Sequence, residues 1–278
     1  MVYFKYMYDE NYCYDLGNNG TVIKDMAYND LSSKNKLDLY LPKKKKEKYP
    51  VIIYIHGGAF AQGDKTHHIA GILQGLQRGY AIACINYRLC DEAPYPAFLQ
   101  DVCEGIRYLK AHSDHYTHGG YIASKIAIEG HKGLLDNLET NYSQENLNVV
   151  GTVSFYAPID LSDYYNKQVI SGKYYKDENG KVLDEKTFNM KGKELLSFLR
   201  TLNPLQNIDG TESPFYLLHG KQDFHIDQNY TKEFDDILNR YNVDHITNFV
   251  EEGIHAIDFY EIEKYNEPIM KFFDKVFK

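Results

Sequence analysis

Tryptophan is absent from the 278-residue sequence, and no apolar run is long enough to cross a membrane. The four cysteines are Cys13, Cys84, Cys90 and Cys103, and they show no Cys-x-x-Cys spacing. We therefore expect reduced thiols and no disulfide framework. The first residues contain no basic segment followed by an apolar one, so the sequence predicts no secretion signal. From these absences we expect a cytoplasmic protein that does not contact membranes.

The sequence also has fewer basic than acidic residues, with 31 Lys and Arg and 39 Asp and Glu, so its formal net charge is −8. Nucleic acids and anionic membranes are bound by clustered positive surfaces, so neither is an expected partner. The one basic run, Lys43 to Lys48, lies between two predicted strands. We interpret it as a solvated hairpin turn.

Short apolar runs alternate with helical stretches along most of the chain, which is typical of parallel strands joined by crossover helices. We predict one domain over residues 1–278, an α/β sandwich of three layers with a mostly parallel sheet. The predicted strands are Val51–His56, Tyr80–Asn86, Ile126–Ile128, Val149–Tyr156, Phe215–His219 and Thr247–Val250. The predicted helices include Ile69–Arg78, which Gly79 ends, a helix over Phe98–Leu109 and an amphipathic helix at the end of the chain.

One segment, residues 161–204, breaks this alternation, and we predict a hairpin within it around Asn179-Gly180. An insertion after the carboxyl end of a strand is placed to cover a ligand crevice. We interpret the segment as a small lid within the domain.

The first chemical motif is His56-Gly57-Gly58-Ala59-Phe60, directly after the apolar run VIIYI. Small residues at this place let backbone N–H groups turn toward a developing oxyanion. Tyr87-Arg88-Leu89, Ala93-Pro94-Tyr95-Pro96-Ala97 and Gln100-Asp101-Val102 follow it.

With these motifs the chain, from about Leu37 to its last helix, resembles the hormone-sensitive-lipase-like and acetyl- or feruloyl-esterase-like branch of the α/β-hydrolases. The resemblance implies hydrolysis of small carboxylic esters without cofactor or metal. It also implies that the amides of Gly58 and Ala59, with Gly57 beside them, form the oxyanion site, Ala59 replacing a glycine of the family.

The acid and the base of such a site are expected at Asp223, in His219-Gly220-Lys221-Gln222-Asp223, and at His255, in Gly253-Ile254-His255. Each follows an apolar strand, and their order along the chain is that of the α/β-hydrolases. A carboxylate that accepts from the imidazole fixes the tautomer that acts as general base. We expect the two side chains to lie within hydrogen-bond reach. The alternatives are a turn aspartate and a capping or core histidine.

The family's Gly-x-Ser-x-Gly nucleophile elbow aligns with Gly130-His131-Lys132-Gly133-Leu134, which puts Lys132 at the serine position. An acyl-lysine is an amide and would stall after one turnover, and Schiff-base chemistry would need a lowered lysine pKa. An anion site made by Lys132 with the amides of Gly58, Ala59 and Gly133 is one alternative. A solvent-facing lysine is the other.

No substitute nucleophile is evident in the sequence. Ser124 and Ser154 are interpreted as structural, Cys84 and Cys103 lie within a strand and a helix, and Ser162 stays in reserve. His112, His115 and His118 recur at every third residue, but we place them at the end of a helix, opposite the crevice. We therefore predict no metal site.

Three functions follow from these observations. The first is surviving ester hydrolysis, by water that His255 assists or by an unrecognised nucleophile. The second is a pseudoenzyme that binds a small ester-like or anionic molecule, and the third is a partner-binding role of the lid. The sequence does not predict acyl length, alcohol group or oligomeric state.

Overall fold

The computed structural model describes residues 20–46, 49–111, 115–255 and 263–278, with the backbone alone for residues 115–119 and for Glu263. Cys13 lies outside these residues. The architecture is built on an eight-stranded sheet in the order β1-β2-β4-β3-β5-β6-β7-β8. Its strands are β1 (Gly20–Ala27), β2 (Lys36–Pro42), β3 (Val51–Ile55), β4 (Ala81–Ile85), β5 (His115–Gly119), β6 (Thr152–Phe155), β7 (Phe215–Gly220) and β8 (His245–Val250).

The sheet is parallel from β4 to β8, and β2 runs antiparallel to both β1 and β4. The central strands β3, β4, β6 and β7 are buried along their whole length, because helices cover both faces of the sheet. Since β2 pairs with β1 and β4 but not with β3, the exposed residues Lys43 to Lys46 do not form the predicted hairpin turn.

The described α-helices are α1 (Ala97–Lys110), α2 (Tyr121–Glu129), α3 (Leu161–Ser171), α4 (Leu183–Phe188), α5 (Gly192–Thr201), α6 (Asn229–Arg240) and α7 (Glu263–Val276). Residues of α1, α2 and α6 belong to the apolar core on one face of the sheet, whereas α7 and the 3₁₀ helix Ile72–Arg78 belong to the core on the other. The predicted three-layer sandwich is confirmed, and the predicted closing helix is α7. Gly79 ends the 3₁₀ helix with a φ of 85°, as its sequence position indicates.

The predicted strand Ile126–Ile128 is wrong, because these residues lie in the second half of α2. Every residue of α2 is buried, so its sequence lacks the polar face that marks a surface helix. The strand at this place in the sheet is β5, which pairs with β3 on one side and β6 on the other. Consequently His115 and His118 lie in a central strand and not at a helix end, while His112 is outside the described residues.

The proposed lid segment contains α3, α4 and α5. Asp160 begins α3, accepting from the backbone N–H groups of Ser162 and Asp163 at 2.9 and 3.1 Å. The predicted hairpin is present in minimal form, as a single antiparallel bridge between Lys176 and Val182 that is closed by a turn from Asp177 to Gly180. Within the described parts of the chain, no helix is long and apolar enough to span a bilayer.

Candidate active site

Asp223 and His255 meet at the carboxyl end of the sheet, where the loops after β7 and β8 lie side by side. The Nδ1–H of His255 donates to Oδ2 of Asp223 at 2.7 Å. The Asp223 side chain is fully buried, whereas the imidazole of His255 is about a quarter exposed. The predicted contact between the two side chains is therefore present in the structure.

The loop around Asp223 holds its carboxylate in the ionised form. Its Oδ1 accepts from the backbone N–H groups of His225 and Ile226 at 2.8 and 2.9 Å. Burial alone would raise the pKa of Asp223, but hydrogen bonds from His219 and His255 and from the backbone outweigh it and hold that pKa well below its usual range. An ionised carboxylate on Nδ1 leaves Nε2 as the proton-accepting nitrogen of the imidazole.

The loop from Gly57 to Phe60 leaves β3 at the same end of the sheet. Gly58 has a φ of 122°, and a Cβ there would lie 2.0 Å from the carbonyl oxygen of Gln62, so only glycine fits. Ala59 and Phe60 also adopt left-handed conformations, with φ values of 52° and 60°. Such a conformation costs an L-residue about 1 to 2 kcal/mol. The loop is therefore a strained backbone turn with two exposed residues, Gly57 and Ala59.

Phe60 anchors this loop against the start of α2. Its ring stacks on Phe98 at 4.2 Å and meets the edge of Tyr121 at 6.1 Å. Tyr121 is in turn held by its hydroxyl, which donates to the carbonyl of Leu202 at 2.9 Å. The Gly57–Phe60 loop and the junction between β5 and α2 are thereby brought together.

In a strand-turn-helix arrangement of this fold the nucleophile elbow lies at that junction, which here contains the end of β5 and Gly120, the residue before α2. A Cβ on Gly120 would lie 3.3 Å from the carbonyl oxygen of Phe155, the last residue of β6. The next residue, Tyr156, places its ring 4.4 Å from the ring of His255. Gly120 thus adjoins the His255 side of the crevice but supplies no side chain.

Lys132 is not in the crevice, which corrects the alignment of the sequence motif with the elbow. Its ammonium contacts Glu212 at 2.6 Å, Asp209 at 2.8 Å and the carbonyl of Asn207. These residues precede β7, whereas Asp223 follows it. The strand has six residues and rises about 3.3 Å per residue, so Lys132 and Asp223 lie at opposite ends of an element roughly 20 Å long.

The reason for this displacement is the direction of α2, which begins at the carboxyl end of the sheet and runs back to the amino end. Gly133 follows Lys132 there and ends a short 3₁₀ helix with a φ of 71°. Neither Lys132 nor Gly133 lies beside Gly58 and Ala59, so the predicted anion site of these four residues does not assemble. Burial lowers the pKa of Lys132, but its hydrogen bonds to Asp209 and Glu212 outweigh this and raise that pKa.

The serines set aside in the sequence have partners of their own. The Ser124 hydroxyl contacts the Ser154 hydroxyl at 2.8 Å, between α2 and β6. The Ser162 hydroxyl donates to Asp160 at 2.6 Å at the start of α3. Ser124 and Ser154 are therefore structural, as predicted, and the Ser162 hydroxyl is taken up by Asp160, the residue that caps α3.

Two residues of the site were missed by the sequence reasoning. Tyr156 directly follows β6 and contacts His255, and it has a positive φ of 32°. His225 lies two residues after Asp223, and its ring is 5.3 Å from that of His255. Burial, followed by the neighbouring His255, lowers the pKa of His225. Both residues follow the carboxyl end of a strand, β6 or β7, and this position in the sequence could have identified them.

The side chains that the structure describes contain no group of three or more His, Cys, Asp or Glu that could hold a metal ion.

Residues 37–238 match the model of the BD-FAE family, which is most of the chain. Among curated proteins, a probable isoprenylcysteine alpha-carbonyl methylesterase of Arabidopsis thaliana is 28% identical over 238 residues, covering 79% of this chain and 48% of that protein. A tuliposide A-converting enzyme of Tulipa gesneriana is 36% identical over 81 residues, covering 27% of this chain and 22% of the enzyme. The chain thus spans about half the length, or less, of these relatives.

Two solved structures show the same fold. A truncated carbohydrate esterase from gut microbiota has a TM-score of 0.79 at 20% identity, with 93% of this chain and 97% of that one covered. A phosphonate-inhibited esterase B from Lactobacillus rhamnosis has a TM-score of 0.74 at 17% identity, covering 93% and 86% of the two chains. At these identities the likeness concerns the fold alone.

Proposed function

Because the chain belongs to the BD-FAE family of esterase-like α/β-hydrolases, we propose that it hydrolyses small carboxylic esters at the Asp223–His255 pair. The observation that carries the proposal is the 2.7 Å hydrogen bond from His255 to a buried, ionised Asp223 at the carboxyl end of the sheet. In this fold, that end of the sheet is where ligands bind.

In the proposed reaction a water molecule is the nucleophile. Nε2 of His255 takes a proton from the water as the oxygen attacks the ester carbonyl. Asp223 holds the imidazole in the required tautomer and stabilises the imidazolium that forms. The tetrahedral intermediate then releases the alcohol, which receives the proton from His255, and the carboxylic acid remains.

The backbone of Gly57, Gly58 and Ala59 is the proposed oxyanion site. The aromatic contacts of Phe60 hold this loop beside Gly120, so its N–H groups border the crevice in which the carbonyl oxygen would become charged. Fixed donors of this kind account for a large share of catalysis in acyl transfer, about 10²- to 10³-fold for one donor.

Attack by water is proposed in place of an acyl-enzyme because of Gly120. A glycine at the junction of β5 and α2 offers no hydroxyl, and Lys132 is held by Glu212 at the other end of the sheet. An enzyme of this kind keeps only the part of the rate that its oxyanion site and binding supply, about 10³- to 10⁴-fold over water.

The same glycine favours a second candidate, a pseudoenzyme that binds an ester-like molecule without turning it over. Lys132 does not contribute to binding in this version, because its charge is already paired with Asp209 and Glu212. The two candidates therefore share one crevice and differ only in turnover.

Hydrolysis of p-nitrophenyl acetate by the native protein and by His255→Ala separates the candidates. The structure offers a matched control, since Nε2 of His245 contacts Asp235 at 3.2 Å at the amino end of β8. We expect turnover that His255→Ala abolishes and His245→Ala preserves. Equal rates in all three proteins would reject hydrolysis at the Asp223–His255 pair and leave only the binding candidate.

A further inference from the structure

A cavity at the amino end of the parallel strands has no role in the proposed chemistry. It lies where β1 begins and β2 ends, beside the exposed residues Lys43 to Lys46. We call it the lysine cavity, and its main lining residues are Thr21, Leu41, Lys43, Lys45, Lys46 and Tyr49. We propose that the lysine cavity binds the diphosphate group of a small molecule.

The lysine cavity is separate from the proposed active site. Because β2 runs antiparallel to β4, with Tyr40 opposite Ile82, the end of β2 lies beside the start of β4. Asp223 and His255, in contrast, follow the carboxyl ends of β7 and β8. A ligand in the lysine cavity therefore leaves the crevice open, and its binding does not depend on ester hydrolysis.

Positive charge is concentrated at the lysine cavity although the chain as a whole is acidic. The run from Lys43 to Lys48 contains five lysines and one glutamate, in a chain whose formal net charge is −8. Three of these lysines line the cavity, and among the described residues that line it there is no Asp or Glu. Lys132, by contrast, is already paired with Asp209 and Glu212. Ammonium groups around one small volume repel one another, and a multivalent anion between them relieves this repulsion.

The loop that carries the lysines is held in place before any ligand binds. The hydroxyl of Tyr49 accepts from the backbone N–H of Lys46 at 2.9 Å and donates to the carbonyl of Lys44 at 3.4 Å. The Tyr49 side chain also packs against the apolar core. A backbone fixed in this way reduces the entropy that is lost when the lysine side chains close on an anion.

The strands on the other side of the lysine cavity are equally constrained. Gly20 pairs with Pro42, and a Cβ on Gly20 would lie 2.0 Å from the carbonyl oxygen of Leu41. The backbones of β1 and β2 therefore approach each other closely at this edge of the cavity. Leu41 and Pro42 also give the cavity an apolar surface, against which a group attached to the diphosphate can pack.

The size of the lysine cavity matches two phosphates better than one. Its volume is about 320 Å³. A cavity of about 150 Å³ holds one benzene molecule, so this one has room for about two groups of that size. Two phosphates carry about three negative charges near neutral pH, which is the number of lysines in the lining.

The arrangement of charged oxygens favours phosphate over carboxylate. A terminal phosphate presents up to three acceptor oxygens that point in different directions. It can therefore meet ammonium groups from several sides of a cavity, whereas a carboxylate presents two oxygens in one plane. Lysine binds phosphate as a point charge and needs no planar partner.

The test is isothermal titration calorimetry on the full chain at low ionic strength. We expect pyrophosphate to bind with a Kd on the order of 0.1 mM, and orthophosphate to bind about tenfold more weakly. Lys45→Ala should weaken the binding of pyrophosphate about tenfold, because it removes one charge-assisted hydrogen bond.

Lys44→Ala is the matched control. Lys44 is the neighbour of Lys45 in the same run and is also exposed, but it does not line the lysine cavity. The variant loses the same charge and should bind pyrophosphate within about twofold of the native protein, as expected for an exposed charge without direct contact. An equal loss in both variants would mean that the run attracts anions without a site, and this result or an absence of binding overturns the proposal.

Three further ligands identify the chemistry that is recognised. Adenosine, which lacks phosphate, should not bind. Adenosine diphosphate that binds more tightly than pyrophosphate assigns the site to a nucleotide, and equal or weaker binding assigns it to the diphosphate alone. Citrate that binds as tightly as pyrophosphate rejects a phosphate site, because any trivalent anion would then suffice.

Discussion

Replacing Gly120 by serine puts a hydroxyl at the junction of β5 and α2, where the fold places its nucleophile. The added Cβ would lie 3.3 Å from the carbonyl oxygen of Phe155, and no other described atom beyond the adjacent residues lies within 4 Å of it. Phe155 must move by only a few tenths of an ångström. We therefore expect the variant to fold, with a change in unfolding free energy within about 1 kcal/mol.

The expected gain in rate follows from two opposing effects. Removing the nucleophile of a serine hydrolase lowers kcat by about 10⁶-fold. A misplacement of about 1 Å costs about 100-fold, and we allow two such errors because the surroundings of Gly120 did not evolve around a side chain. Gly120→Ser should then hydrolyse p-nitrophenyl acetate on the order of 100-fold faster than the native protein.

Lys132→Ser is the matched control, since it introduces the same residue where the sequence motif alone would put the nucleophile. It should gain no activity. It should also lower the unfolding free energy by about 2 kcal/mol in urea titration, because the fully buried carboxylate of Glu212 loses its ammonium partner and keeps only the backbone N–H groups of Asp209 and Gly210.

Two further measurements complete the assay. A fluorophosphonate probe should label the serine introduced by Gly120→Ser, and adding His255→Ala to that variant should abolish the gain. Activation of Lys132→Ser together with a silent Gly120→Ser would refute the reasoning, because it would put the elbow in the segment that the structure assigns to the end of α2.

Three other predictions concern single residues. The native protein should stay unlabelled by the fluorophosphonate, and a labelled Ser162 would reveal a nucleophile in the lid segment. Burial would raise the folded-state pKa of Asp223, but hydrogen bonds outweigh burial and lower this pKa. The carboxylate therefore stabilises the fold above its unfolded pKa of about 4, and this stabilisation is lost as the pH falls through the folded-state pKa. Asp223→Asn should therefore show a smaller fall in Tm between pH 5 and pH 2, and an unchanged fall would contradict the assignment. Ala59→Gly should raise the unfolding free energy by about 1 kcal/mol by relieving a φ of 52°, whereas Ala111→Gly, at a right-handed φ of −57°, should lower it by about 0.5 to 1 kcal/mol.

Local signals in the sequence, together with the order of acid and base that the family resemblance implies, were enough to place Asp223 and His255. Each follows an apolar strand, β7 or β8, and the carboxyl ends of neighbouring parallel strands lie at one edge of the sheet. The HGGAF motif follows β3 in the same way. The contact between acid and base could therefore be predicted without coordinates.

Lys132 shows where the sequence was insufficient. The apolar residues Ile126, Ala127 and Ile128 are compatible with a buried strand or with a fully buried helix, and a run this short has no periodicity to separate the two. The match to the family's elbow motif favoured the strand.

Only the tertiary structure shows that Ile126, Ala127 and Ile128 belong to a helix, because it puts β5 at this place in the sheet. His115–Gly119 has little of the apolar, β-branched composition of a central strand, yet it is paired by β3 on one side and by β6 on the other. Hydrogen bonding to two neighbours outweighs a weak local preference for strand. With β5 in that place, the next segment must return along the sheet as α2, and this leaves Gly120 at the crevice and Lys132 at the far end.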